Sequence, residues 1–182
     1  MTEHSNVVST GDLKWMEQSH GEKFGFKRKS LGAATGGERL GCGLYEVPPG
    51  KRAWPRHYHL ANEEAIFVLE GRGTLKIGEK EVTISAGDYA TLLAGEEGSH
   101  QTINTSDAPL RYLCFSTMVT PDVMVYPDSN KVGIFDGSAP AARRKGEPSA
   151  SSLRPTPRSA ITKGRKASQH VSFPALVVTE RP

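Results

Sequence analysis

Cysteine is scarce in this chain. Cys42 and Cys114 are the only two in 182 residues, too few and too far apart for a disulfide framework. Their pattern fits a cytoplasmic protein with reduced thiols. Long apolar runs are missing as well. The longest is a handful of residues around Ala65–Leu69, whereas a membrane span needs about twenty. The opening Met1-Thr-Glu-His is polar and no apolar stretch follows it, so no secretory signal is expected. There is no Gly-X-Y period, which excludes a collagen-like chain, and the formal net charge is only +3, which argues against wholesale disorder. Helical periodicity is absent between Gly25 and Phe135, which excludes a bundle.

The small net charge conceals two unlike segments. Residues 1–138 hold 14 Lys and Arg against 18 Asp and Glu, and residues 139–182 hold 9 against 2. Six of the twelve prolines also fall in 139–182. Runs such as Arg143-Arg144-Lys145 and Lys163-Gly164-Arg165-Lys166 carry no apolar period. Such a segment buries too little surface to offset its ordering entropy, so it is expected to be a disordered basic tail. Only Phe173 accompanies its basic residues, so stacking on nucleic-acid bases is not expected. The stretch Phe173–Val178 has the composition of an edge strand. Residues 1–24 read as an N-terminal arm that Trp15 and Phe24 can anchor.

Between them, residues 25–138 read as one all-β domain. Eight candidate strands are Leu40–Val47, Trp54–His59, Ala65–Glu70, Gly73–Ile77, Glu81–Ile84, Tyr89–Leu93, Gln101–Asn104 and Leu110–Thr117. The breaks between them are turn chemistry, for example Pro48-Pro49-Gly50, Gly78-Glu79-Lys80 and Ala86-Gly87-Asp88. Short strands at this spacing predict a sandwich, jelly roll or barrel.

Three of the six histidines fall in this domain. His57 and His59 are alternate residues of one predicted strand, so their imidazoles project from the same face. Glu64 follows at the start of the next apolar run, and His100 opens a later strand. Glu63 competes with Glu64 for the carboxylate position. The parity with Ile66 and Val68 favours Glu64. Three imidazoles and one carboxylate make a mixed nitrogen and oxygen donor set that suits Mn, Fe, Ni, Zn or Cu rather than Ca or Mg.

The spacing Gly50…His57-x-His59-x4-Glu64-x6-Gly71 resembles the first motif of the cupin superfamily. Gly87-x5-Leu93-x-Gly95-x4-His100-x3-Asn104 resembles the second, with Leu93 where proline is usual and His100 two residues later than the commonest spacing. Fifteen residues separate Gly71 from Gly87, as in small bacterial single-domain members. The resemblance implies a double-stranded β-helix jelly-roll barrel. It maps His57, His59, Glu64 and His100 onto the ligands of one divalent transition metal, Mn, Fe, Ni or Zn. It also implies a homodimer.

A metal held this way keeps open positions for a small oxygen-rich ligand. By resemblance the leading expectation is a sugar or sugar-phosphate isomerase-like enzyme, with Lys51, Arg52 and Arg56 as substrate-binding cations. A non-catalytic module that binds a small ligand and a metal-dependent dioxygenase are the alternatives. No residue stands out as a catalytic base once the ligands are assigned.

Overall fold

The computed structural model describes residues 6–135 and the backbone of residues 154–155. Alternation sets the strands. Leu40–Val47 alternates between outward and buried side chains along its whole length, as a strand with one buried face must. The chain forms strands β1 (Met16–His20), β2 (Phe24–Ser30), β3 (Leu40–Val47), β4 (Tyr58–His59), β5 (Glu64–Glu70), β6 (Arg72–Ile77) and β7 (Lys80–Ser85). It continues with β8 (Tyr89–Leu92), β9 (His100–Ile103), β10 (Leu110–Thr117), β11 (Asp122–Tyr126), β12 (Lys131–Phe135) and β13 (Arg154–Pro155). Helix is confined to α1 (Leu31–Ala34) and three short 3-10 turns among the described residues.

One sheet runs β1-β2-β3-β10-β5-β8, a second β7-β6-β9 and a third β13-β12-β11-β4. All the pairings between these strands are antiparallel. Tyr45, Val47, Ile66, Val68, Leu110 and Tyr112 of the first sheet meet Leu75 and Ile84 of the second in one apolar cluster. This is the expected all-β jelly roll. Gly71 makes the corner where β5 passes into β6 and so from one sheet to the next. Its φ is +85°, and a Cβ there would strike the Pro109 carbonyl oxygen, so the corner requires glycine.

Two parts of the sequence reading take a different form. The predicted strand Trp54–His59 shrinks to Tyr58–His59, with His57 held by an isolated bridge to His100. Pro55 lies inside the predicted run and has no N–H to give to a ladder. Within the arm, Met16–His20 pairs with β2 to form a hairpin at the edge of the first sheet. Trp15 is half-buried with the Lys29 ammonium 4.5 Å from its ring centre. The segment 139–182, including Phe173–Val178, lies outside the described residues except for β13. No helix among the described residues is long and apolar enough to cross a membrane.

Candidate metal centre

His57 and His59 come to the barrel interior from opposite partners. The His57 N–H donates to the His100 carbonyl at 3.1 Å, and the His100 N–H donates back to the His57 carbonyl at 2.8 Å. His59 instead pairs with Met124 of β11. Glu64 opens β5, opposite Leu92 of β8 and Ser116 of β10. All four side chains are buried. The ligand atoms of His57, His59 and Glu64 lie within 4.8 Å of one another. His100 stands beside them, its Nε2 3.3 Å from Glu64 Oε2 and its ring centre 4.4 Å from that of His57. Glu63 is exposed, and its N–H takes the Thr117 hydroxyl as acceptor.

The second nitrogen of each imidazole is already committed. His57 Nδ1 lies 2.9 Å from the Pro55 carbonyl, and His100 Nδ1 lies 2.9 Å from the Gly98 carbonyl. A carbonyl only accepts, so each of these Nδ1 atoms carries a proton, and in the neutral ring the lone pair lies on Nε2. His59 Nδ1 meets Asp122 Oδ2 at 2.5 Å. His59 Nε2 is buried and makes no hydrogen bond; its neighbour is Glu64 Oε2 at 3.5 Å. An orphaned buried nitrogen of this kind needs a partner, and a cation between it and Glu64 supplies one. The donor set therefore fits a borderline transition metal.

Electrostatics point the same way. Burial, with the charges of His100 and His59, pushes His57 down to about 3, so it is neutral and ready to donate a lone pair. Burial by itself would lower His59 too, but the Asp122 hydrogen bond and the nearby Glu64 carboxylate override it and hold His59 up to about 10. Burial would raise Glu64, yet its contacts with His100 and His59 hold it well below the usual carboxylate range. Asp122 shows the same contest, won by His59 with help from Asn62 and Ala61. Two buried carboxylates thus face one imidazolium. A dication in place of that proton balances both charges, which a single proton does not.

Asp122 escapes sequence reasoning. It is fully buried, 63 positions from His59, and its other oxygen accepts the Ala61 N–H at 3.2 Å. The one available signal was an acid heading the apolar run Val123–Val125 just after Pro121.

The late position of His100 has a steric explanation. Glu96–Gly98 forms a 3-10 turn that inserts the extra residues and returns the chain at Ser99. Gly98 is buried in that turn, and a Cβ on it would fall on the Leu93 carbonyl group. Its own carbonyl fixes the His100 ring. Gly98→Ala is expected to cost about 2–3 kcal/mol, lowering Tm by roughly 5–10 °C, and to weaken metal uptake. An unchanged melting curve would contradict this account of the turn.

The side chains around the cluster enclose a cavity of about 30 Å³, enough for an ion and a water-sized group. Tyr45 and Tyr112 form its polar wall, stacked 5.2 Å apart, beside Cys114. Burial raises all three, so each is protonated at neutral pH. None of the three predicted substrate cations lines this cavity. Lys51 Nζ donates to the Glu22 carbonyl, Arg52 donates to Gln101 Oε1 at 3.3 Å, and Arg56 pairs with Glu79 at 2.7 Å.

Comparison with known proteins adds the following. Residues 43–116 match the family model described as Cupin domain. An uncharacterized protein of Methanocaldococcus jannaschii is 31% identical over 70 residues, covering 38% of this chain and 54% of that protein. The match therefore spans about half the length of the curated relative. A solved structure from Silicibacter pomeroyi, described as a sugar phosphate isomerase from a cupin superfamily, is 26% identical. It aligns over 73% of this chain and 90% of its own at a TM-score of 0.66. A "predicted oxalate decarboxylase" of Thermotoga maritima is also 26% identical, over 62% of this chain and 99% of its own, with a TM-score of 0.55. A protein of Acidithiobacillus ferrooxidans, provisionally named a sugar phosphate isomerase, aligns over 90% of this chain and 98% of its own. Its TM-score is 0.68 at 24% identity, a likeness of fold alone.

Proposed function

Because residues 43–116 match the Cupin domain model, with His57, His59, Glu64 and His100 all inside the matched span, we propose that the chain is a cupin and a metal-dependent protein acting on a small oxygen-rich metabolite, as a sugar or sugar-phosphate isomerase-like enzyme. The observation that carries this is the orphaned, buried His59 Nε2 facing Glu64, with every Nδ1 of the three imidazoles already bonded. The substrate class draws support from the Silicibacter pomeroyi structure.

His57, His59, Glu64 and His100 would hold one divalent metal, Mn, Fe, Ni or Zn. When bound, such a metal supplies Lewis acidity toward a substrate carbonyl oxygen. The chain's own residues do the rest. Pro55 and Gly98 hold two imidazoles in the donating tautomer, and Asp122 orients the third. Ile66, Leu92 and Met124 line the cavity and exclude bulk water. Tyr45 and Tyr112 keep their protons and so can donate to a substrate oxygen.

One observation favours a second reading, a binding module without chemistry. Among the described residues lining the cavity, each carboxylate and imidazole belongs to the metal cluster, which leaves no free base for moving a carbon-bound proton. A homodimer belongs to the same proposal. Leu44, Leu113, Phe67 and Tyr89 form one cross-strand row on the outer face of the first sheet, and Phe67 and Tyr89 are exposed. A two-fold partner can cover such a row with its own copy.

The test is elemental analysis followed by turnover of aldose and ketose phosphates with Mn or Zn. About one metal per chain with aldose–ketose interconversion is expected. Tight binding without product would replace the isomerase reading with the binding module. Iron with substrate-dependent oxygen uptake would replace it with an oxygenase.

A further inference from the structure

The metal cavity is too small for a metabolite. At about 30 Å³ it falls far short of the roughly 300–1,000 Å³ usual for ligand sites. A second cleft of about 620 Å³ adjoins it, between the β1–β2 hairpin and the turn that joins β11 to β12. The two share Ala53, Trp54 and Gln101 as common wall. Tyr126 of the cleft has its ring centre 5.9 Å from that of His57. The cleft therefore lies directly beside the metal cluster, with Trp54 and Tyr126 on the side facing it.

Charge tells which kind of ligand. Four basic side chains stand on or near this face, and they are not alike. Arg56 lines the cleft but is neutralised by Glu79 at 2.7 Å and Asp128 at 3.9 Å. Lys51 does not line it, and its ammonium is tied to the Glu22 carbonyl. Arg52 and Lys131 do line it, and neither has an ion pair among the described residues. Arg52 is half-buried with the neutral Gln101 amide as its side-chain partner. That amide is itself fixed, since its Nε2 donates to the Trp54 carbonyl at 2.7 Å. The guanidinium is thus oriented without being neutralised. Two uncompensated cations from separate segments facing one cleft suit a group with two negative charges and several acceptor oxygens.

We propose that Arg52 and Lys131 seat a phosphate monoester in this cleft, the remainder of the ligand running along Trp54 and Tyr126 toward the metal cluster. The substrate is then a phosphorylated metabolite. The role of the far end rests on the proposed function above, whereas the phosphate seat stands on the cleft itself. Of the three cations that the sequence singled out, Arg52 is the one that makes the contact, and Lys131 joins it.

Titration calorimetry on the full chain tests this with ribose 5-phosphate, ribose and ribonate, in Mn²⁺ and again in EDTA. Ribose 5-phosphate is expected to bind at least about tenfold tighter than ribose in both buffers, and more weakly as salt rises. Arg52→Gln keeps the backbone bonds of residue 52 to Lys23 and Gly25 and is expected to weaken the phosphate ester about tenfold. Lys131→Gln, at an exposed position, is expected to weaken it severalfold, and Lys51→Gln to leave it unchanged. Metal content is expected to stay the same in all three. Equal affinity for ribose and ribose 5-phosphate, or unchanged affinity in both Arg52→Gln and Lys131→Gln, overturns the proposal. Ribonate binding as tightly as the phosphate ester, with the same losses, overturns the phosphate assignment in favour of a carboxylate. If the chain takes up no metal yet discriminates the phosphate in EDTA, the metal reading fails and the cleft survives.

Discussion

A chain carrying His57→Ala together with His59→Ala is expected to retain less than about a tenth of a metal equivalent, against about one in the wild type. Both imidazoles are buried, and their ligand atoms stand with that of Glu64 inside a 4.8 Å cluster. Glu64 and His100 alone leave two donors, too few for a structural or catalytic site. The backbone has no reason to move far. The reciprocal His57–His100 hydrogen bonds are main-chain bonds that alanine keeps. The cost falls on Glu64 and Asp122, which lose the His59 imidazole between them. Breaking a buried pair in this way costs about 3–5 kcal/mol. A circular-dichroism spectrum therefore accompanies the metal analysis. His57→Ala by itself is the safeguard, because His57 is neutral and its ring nitrogen meets only a carbonyl. Removing it strands no carboxylate, so this variant should fold and still lose most of its metal. Full metal stoichiometry in a folded double variant would falsify the centre.

Much of this centre was readable in advance, and the reason is local. Leu40–Val47 and Leu110–Thr117 appear as strands with the bounds that the turn residues beside them, Pro48-Pro49-Gly50 and Pro109, predict, and Leu40–Val47 alternates in burial along its length. Glu64 separates from Glu63 by the same parity, one residue facing in and the next facing out. Where alternation fails, the reading fails with it. Met16–His20 is exposed at every position, so no apolar period marks it, and only pairing with β2 makes it a strand. Asp122–Tyr126 buries Val125 as well as Asp122 and Met124, which blurs the period. Asp122 is the larger lesson. Its role is created by the pairing of β11 with β4, a contact across more than sixty residues that no spacing rule encodes. The longer gap before His100 is the converse case. The sequence displays the extra residues, but only the 3-10 turn with Gly98 at its end shows how they fit without displacing the imidazole.

Asp122→Asn is expected to weaken metal binding by about 10–100-fold, measured by competition with a chromophoric chelator near pH 8. The substitution preserves shape. Asparagine can still accept the Ala61 N–H, which now bonds Oδ1 at 3.2 Å. What changes is the charge beside His59 and the certainty of its tautomer, since an amide can present either an acceptor or a donor to Nδ1. Two effects compete. In the metal-free protein Asp122 helps hold the His59 proton, whose affinity is raised to about 10, so losing the carboxylate relieves competition from that proton. It also removes attraction for the cation. The proton carries one charge and the metal two, and both act on Asp122 through the same imidazole. The loss to the metal is therefore the larger, and affinity falls. A purely structural role predicts something else: a shift in thermal stability with metal affinity intact. Asp122→Asn also breaks the buried Asp122–His59 ion pair, so its metal-free melting temperature is expected to fall as well, and metal affinity measured on the folded variant is the readout that separates the two roles. Asp122→Ala, which leaves the Ala61 N–H and His59 Nδ1 without acceptors, should lower both stability and affinity. If Asp122→Asn binds metal as tightly as the wild type, Asp122 is a packing residue and His59 is oriented by the barrel alone.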